Sequence, residues 1–173
     1  MMRFFPHDWS LCDDSQVERV LRTYHEFLDA QPRPVGPKVR SFLDTFSLNE
    51  ALLDKLIIHQ KSRLVEFRLV EGDNDRGYRL LTLNYLGAYT CEASSRSIST
   101  ALLWRSAVIR YDEFDRRRAK KSDPTEKYIH RFLLWPRGLR SFAIAFDDFA
   151  LSVSPLEMRR YETYGQPYET ISE

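Results

Sequence analysis

"LVEFRLVEGDNDRGYRLLTLNYL", residues 64 to 86, decides how the whole chain is read. Val65, Phe67 and Leu69 alternate with Glu66, Arg68 and Glu71, while Leu81, Leu83 and Tyr85 alternate with Thr82 and Asn84. Successive side chains of a strand point to opposite faces, so this alternation predicts two strands with one buried face each. Between them "EGDNDRG" supplies the Gly, Asp and Asn that reverse a chain tightly, and the stretch reads as a β-hairpin. Asp73-Asn74-Asp75-Arg76-Gly77 has a superficial likeness to a calcium loop. Asn84 stands where the closing bidentate Glu would fall, so turn chemistry is the better reading.

The same period continues downstream. Residues 102 to 114 read as a strand around the β-branched Val108 and Ile109, with a helical turn over "STALLWRS" as the alternative, and "KYIHRFLLW", "PRG" and "LRSFAIAF" predict a second hairpin with Phe142, Ile144 and Phe146 on one face. At Asp147-Asp148 the phase shifts, because Phe149, Leu151 and Val153 follow on the opposite parity. A turn or bulge there restores the buried side, and two adjacent carboxylates are better explained by that turn than by a metal. Pro155 ends the pattern.

Upstream the period is helical. Ser15-Gln16-Val17-Glu18 matches a capping box, and Val17, Val20, Leu21, Tyr24 and Leu28 form one apolar stripe, predicting a helix over about 15 to 30. "QPRPVGPK", residues 31 to 38, stops it, and its PxxP pattern reads as a linker rather than a ligand. Val39, Phe42, Leu43 and Phe46 predict a short second helix, continued or restarted at Ser47 to Glu50. Phe4, Phe5 and Trp9 read as a hydrophobic plug, with an exposed anchor as the alternative. The expected architecture is one α+β domain over residues 1–155, with N-terminal helices (about 10–53) packed on a mainly antiparallel β-sheet (about 55–154). Residues 156–173 read as a loosely ordered tail.

Four passages carry a resemblance: Phe4-Phe5-Pro6-His7-Asp8-Trp9, Leu52 to Ile57, Tyr111-Asp112-Glu113-Phe114, and the closing "HRFLLWPRGLRSFAIAFDDFALSV". Together the chain resembles an uncharacterised bacterial family of small α+β proteins, although Leu53 and Lys55 stand where that family tends to have His and Ala. Its strand-rich end is also similar to that of immunity proteins, which bind and neutralise a toxin. That likeness implies a protein partner and no catalytic activity.

Charge limits the partners. Among 173 residues, 26 Lys and Arg face 25 Asp and Glu, a net +1 that argues against a dedicated nucleic-acid surface. The densest charge is "YDEFDRRRAKKSDPTEK", residues 111 to 127. Its basic cluster of Arg116, Arg117, Arg118, Lys120 and Lys121 is surrounded by Asp112, Glu113, Asp115, Asp123 and Glu126. With Asp123-Pro124 as a turn signal, the stretch reads as a mobile charged hairpin loop, with a weak nucleic-acid site as the alternative.

Reactive chemistry is sparse in this sequence. Of the four histidines, His59 and His130 fall in strands where a sheet could bring them together with Glu66 or Glu126 for acid–base work. Cys12 and Cys91 have no ligand spacing and read as ordinary reduced thiols, and the serines at 94, 95, 97 and 99 have no nucleophile-elbow setting. Neither a phosphate loop nor a dinucleotide fingerprint occurs, so no cofactor or metal is expected. The longest apolar run is Phe142 to Phe146, too short for a membrane span. The expected protein is a non-enzymatic, cytoplasmic binding module for another protein. The alternative is a small-molecule binder or hydrolase built on His59 and His130.

Overall fold

A computed structural model of the protein describes residues 3–5, 13–30, 36–73, 77–91, 107–117, 125–135 and 141–156. They form helices α1 (Asp14–Asp29) and α2 (Pro37–Thr45), then strands β1 (Leu52–His59), β2 (Leu64–Asp73), β3 (Gly77–Leu86), β4 (Tyr89–Cys91), β5 (Val108–Arg117), β6 (Lys127–Trp135), β7 (Phe142–Phe146) and β8 (Asp148–Leu156). Every pairing is antiparallel, in the order β4-β7-β6-β5-β1-β2-β3-β8. The fold is a sheet-rich α+β.

The 64–86 hairpin is β2–β3, paired without a break from Leu64↔Leu86 to Asp73↔Gly77. Val65, Phe67, Leu69, Leu81, Leu83 and Tyr85 are all fully buried, as their alternation requires. Each such Phe or Leu stabilises the fold by roughly 1.5–3 kcal/mol on transfer from water. Gly72 is needed at the hairpin end: its φ is +131°, and a Cβ there would fall 2.1 Å from the Gly77 carbonyl oxygen.

The second hairpin is β6–β7, with Phe142, Ile144 and Phe146 in the main core and Ala143 and Ala145 buried on the opposite face beside Cys91 and Ile129. Asp147 is the turn that changes the phase. β8 follows it, extends past Pro155 to Leu156, and buries Phe149. Strand β4 and the β1 start at Leu52 escaped sequence reading, the first because three residues carry no period.

The sheet has a seam between β1 and β5. These strands share one paired position, Leu52↔Val108, with backbone bonds from Glu50 N–H to Ile109 O, from Ile109 N–H to Ala51 O and from Leu53 N–H to Ala107 O. Both are bulged just beyond it, between Leu53 and Lys55 and between Ile109 and Tyr111, and bulges add local twist. From that pair the two strands run apart, leaving two four-stranded halves whose inner faces meet. Phe67 of β2 lies edge-on to Phe132 of β6 at 5.1 Å and to Phe142 of β7 at 5.5 Å, and Tyr85 of β3 lies 5.0 Å from Phe146 of β7.

Where β5 leaves the seam, α1 supplies a partner. The Tyr24 hydroxyl accepts the Phe114 N–H at 2.6 Å, satisfying a backbone donor that an adjacent strand would otherwise take. The Phe42 ring of α2 lies edge-on to Phe114 and Phe149. The capping box sits two residues earlier than expected: Asp13 is the N-cap, accepting from Gln16 N–H, while the Gln16 side chain accepts from Asp13 N–H. A carboxylate accepts more strongly than a hydroxyl, and Ser15 donates to it instead. Pro37 opens α2, which stops at Thr45 with no restart over 47–50; the chain turns there, with Glu50 at φ 66°. Pro34 of the PxxP pattern lies outside the described residues, as does Trp9. Phe5 is buried and stacks on Tyr111 at 5.3 Å, so the plug reading holds for it.

Residues 111–117 correct the loop reading of the charged stretch. They are the second half of β5, paired residue for residue with β6 from Tyr111↔Leu133 to Arg117↔Lys127. Glu113 and Asp115 are buried because Arg131, opposite on β6, is itself buried and reaches both carboxylates.

A candidate groove beside β8 and the buried chain beneath it

β8 is an edge of the sheet: it pairs with β3 and, among the described residues, with no other strand. Pro155 has no N–H to give β3, and Phe149 donates its N–H to the Asp148 carboxylate at 2.8 Å. Residues of one parity in an antiparallel strand face the same neighbour with both N–H and C=O. Leu151 and Val153, of the same parity as Phe149 and Pro155, therefore turn their backbone groups away from β3. Their side chains lie on the core side, opposite Leu83 and Leu81, yet Val153 is 43% exposed.

Beside this edge runs an open groove of about 510 Å³ between α2 and β8, lined chiefly by Ser41, Phe42 and Phe46 on one side and Phe149, Ala150 and Leu151 on the other. The charges around it are paired. Lys38 of α2 bridges to Asp148 of β8, and Arg79 of β3 bridges to Glu71 at 2.6 Å while lying 5.4 Å from the Phe46 ring. From 149 to 156 β8 carries no charged residue, so of the usual guards of an exposed edge it has only Pro155, near its far end.

The groove floor rests on a buried polar chain. His130, fully buried on β6, has Nε2 at 2.8 Å from Asp112 Oδ2 of β5 and Nδ1 at 2.8 Å from the Tyr85 hydroxyl of β3. An ionised carboxylate only accepts, so Nε2 carries the proton and Nδ1 accepts from Tyr85 O–H. Phe114 stacks on the imidazole at 3.8 Å and Phe132 tilts over it at 4.0 Å. Burial pushes the His130 pKa below its ordinary value, against the opposing pull of the Asp112 hydrogen bond and charge. Burial, helped by the Asp112 charge, pushes the Tyr85 hydroxyl well up. The ring is therefore neutral at pH 7, and it has no solvent-exposed surface.

His59 does not join this site. It is exposed at the far end of β1, opposite Leu64, on a strand that runs away from β5 beyond the seam. The acid–base pair His59–His130 therefore does not form: one ring is in solvent and the other in the core. Glu126 lies 3.9 Å from Arg116. Among the described residues, no group of three or more His, Cys, Asp and Glu is placed to hold a metal ion.

Alternation separates the basic cluster. Arg116 lies over the Tyr128 ring at 5.0 Å and donates to its hydroxyl at 3.3 Å, whereas Arg117 points to the other face, half-exposed, with Nε 3.5 Å from Asp115. Arg118, Lys120 and Lys121 lie outside the described residues. Asp147 and Asp148 also part company, the first paired with buried Lys127 at 2.6 Å and the second with Lys38.

Sequence reading missed the groove, because it is made by a helix and a strand more than a hundred residues apart. It also missed the partners of His130, which come from β5 and β3. The uncharged run 149–156 was the one local signal available. Among the described residues, no helix is long and apolar enough to cross a membrane. The sequence matches no model of a known protein family, and no similar curated protein is found.

Proposed function

We propose that this protein is a non-enzymatic protein-binding module that captures an extended, uncharged segment of a partner protein as an added strand on β8. The observation that carries the reading is the edge itself: Leu151 and Val153 direct N–H and C=O outward beside a groove with apolar walls. Strand addition draws affinity from main-chain hydrogen bonds and specificity from alternate side chains entering a pocket. The occupant's chemistry follows from charge: the rim charges are already paired and β8 from 149 to 156 is neutral, so a charged side chain there would lose water without gaining a partner. In this reading the N-terminal helices pack on the sheet as one wall of the groove. A cytoplasmic, immunity-like role in a bacterium is one instance of such binding and rests on the resemblance alone.

A display library of random eight-residue peptides tests the reading. Selection on the wild type is expected to enrich peptides with alternating apolar residues and few charges. Val153→Pro removes one outward N–H without touching the β3 ladder, and is expected to lower their affinity about tenfold, near 1.4 kcal/mol. Equal binding to wild type and Val153→Pro, or no enrichment at all, would sink the proposal.

A further inference from the structure

The buried chain and the groove share their side chains. Phe42, a wall of the groove, lies edge-on to the His130 ring at 6.0 Å, and Phe149, its other wall, stacks against the Tyr85 ring at 6.1 Å. Phe42 and Phe149 touch each other at 5.7 Å, and Phe114 links Phe149 back to the imidazole. The Tyr85–His130 bond also joins the two halves of the sheet, β3 on one side and β6 on the other.

We propose that protonation of His130 reshapes this groove, so that binding of an extended peptide beside β8 is switched by pH and favours the neutral imidazole. The inference rests on the reading of the groove as a docking site.

Both ring nitrogens are already committed. A proton added at Nδ1 makes it a donor facing the Tyr85 O–H, another donor. Tyr85 must then turn its hydroxyl to accept, and among the described residues that O–H has no second acceptor. The alternative is for the rings to separate, and they separate along the contact that holds Phe149 and Phe42. Packed aromatic rings move together, and the room for them to move lies on the groove side of Phe42 and Phe149.

Among the groups facing His130, the imidazole is the one whose ordinary pKa lies between pH 5 and 8. Asp112 from β5 is its carboxylate partner, and Tyr85 from β3 is held protonated by burial. Tyr24 from α1, which bonds Phe114, is likewise raised by burial. Arg116 and Tyr128 lie two residues along the same strands, joined to each other. Phe42 from α2, Phe149 from β8 and Ile144 from β7, its register partner, bring no charge. Glu113, Asp115 and Arg131 belong to the opposite face.

The sign follows from burial. The folded protein holds His130 below the ordinary 6.5, so the neutral, binding-competent form still predominates at that value and is lost only as pH falls through the lowered folded pKa. One coupled proton limits the loss of affinity to about tenfold per pH unit.

The test uses the full chain and a library-selected octapeptide, with affinity measured from pH 7.5 to 5.0 beside an NMR titration of the His130, Phe42 and Phe149 rings. The expected result is weakening as pH falls through the His130 midpoint that the NMR titration reads, a lower midpoint in the presence of peptide, and a pH-independent affinity in His130→Gln, whose amide supplies one donor and one acceptor but does not titrate. A wild-type profile retained in His130→Gln would overturn the switch. Should that variant not fold, the ring titration decides: Phe42 and Phe149 signals that ignore the His130 midpoint overturn the coupling. Should no peptide bind at any pH while the rings do follow His130, the docking reading fails and the coupled groove stands.

Discussion

One face of β5–β6 buries His130 between Asp112 and Tyr85; the opposite face of the same two strands buries Arg131 between Glu113 and Asp115. The neighbours His130 and Arg131 point to opposite sides, and each pairs across the ladder, His130 with Phe114 and Arg131 with Glu113. The core-facing site is held neutral, with every hydrogen bond of the imidazole used. The other site keeps full charges and balances them with two carboxylates, one of which also accepts N–H bonds from Arg3 and Phe4 at 2.7 and 2.9 Å. The difference is one of linkage: burial holds the imidazole below its ordinary pKa, so it gains a proton only in acid, whereas a guanidinium stays charged throughout. One face can therefore respond to pH while the other holds the strands together.

The comparison breaks hardest at Arg131. Arg131→Met leaves Glu113 and Asp115 buried without their cation, and removal of one partner from a buried ion pair costs about 3–5 kcal/mol. Urea denaturation is expected to show a loss of that size. The triple variant Arg131→Met, Glu113→Gln, Asp115→Asn removes the stranded charge and should recover a large part of it. A triple variant no more stable than the single would mean that shape, not charge, is what Arg131 provides.

That cluster also marks the limit of what the sequence discloses. The hairpin 64–86 was legible because alternation is local, and every residue expected to face the core does so. The strand expected to end at 114 runs on to Arg117, and Asp115 to Arg117 fell to the loop reading because a run of charges usually means a solvated loop. The arginine that neutralises Glu113 and Asp115 is 18 and 16 residues away, on a strand whose register the sequence does not state. His130 was placed correctly in a strand, yet its pairing with His59 stood only as an alternative, because no local pattern says which strands become neighbours. β8 was visible as a strand, but its role as an edge depends on the strand order.

The neutral face predicts a smaller effect, confined to acid. His130 has a folded pKa below 6.5, so the unfolded chain binds the proton more readily. The stability tied to the neutral ring is complete above 6.5 and falls as pH drops, by at most about 1.4 kcal/mol per pH unit. Subtracting the pH profile of His130→Gln from that of the wild type isolates this contribution from the carboxylates. A flat difference between pH 7 and 5 would show that His130 takes up its proton equally well folded and unfolded.

The smallest effect is expected at Arg117, and it sharpens the contrast within the charged face. Arg117 approaches the same Asp115 that Arg131 holds, at 3.5 Å against 3.2 Å, so distance alone would rank them as near equals. Exposure separates them: the Arg117 side chain is 53% exposed and Arg131 2%. Water and salt screen the outer pair, and holding a long side chain in place offsets what attraction is left. Arg117→Ala is therefore expected to cost at most about 0.5 kcal/mol in low salt and nothing measurable at 1 M salt. A loss rivalling that of Arg131→Met, and insensitive to salt, would show that Asp115 depends on both cations, and that this face is one coupled network reaching out to the surface.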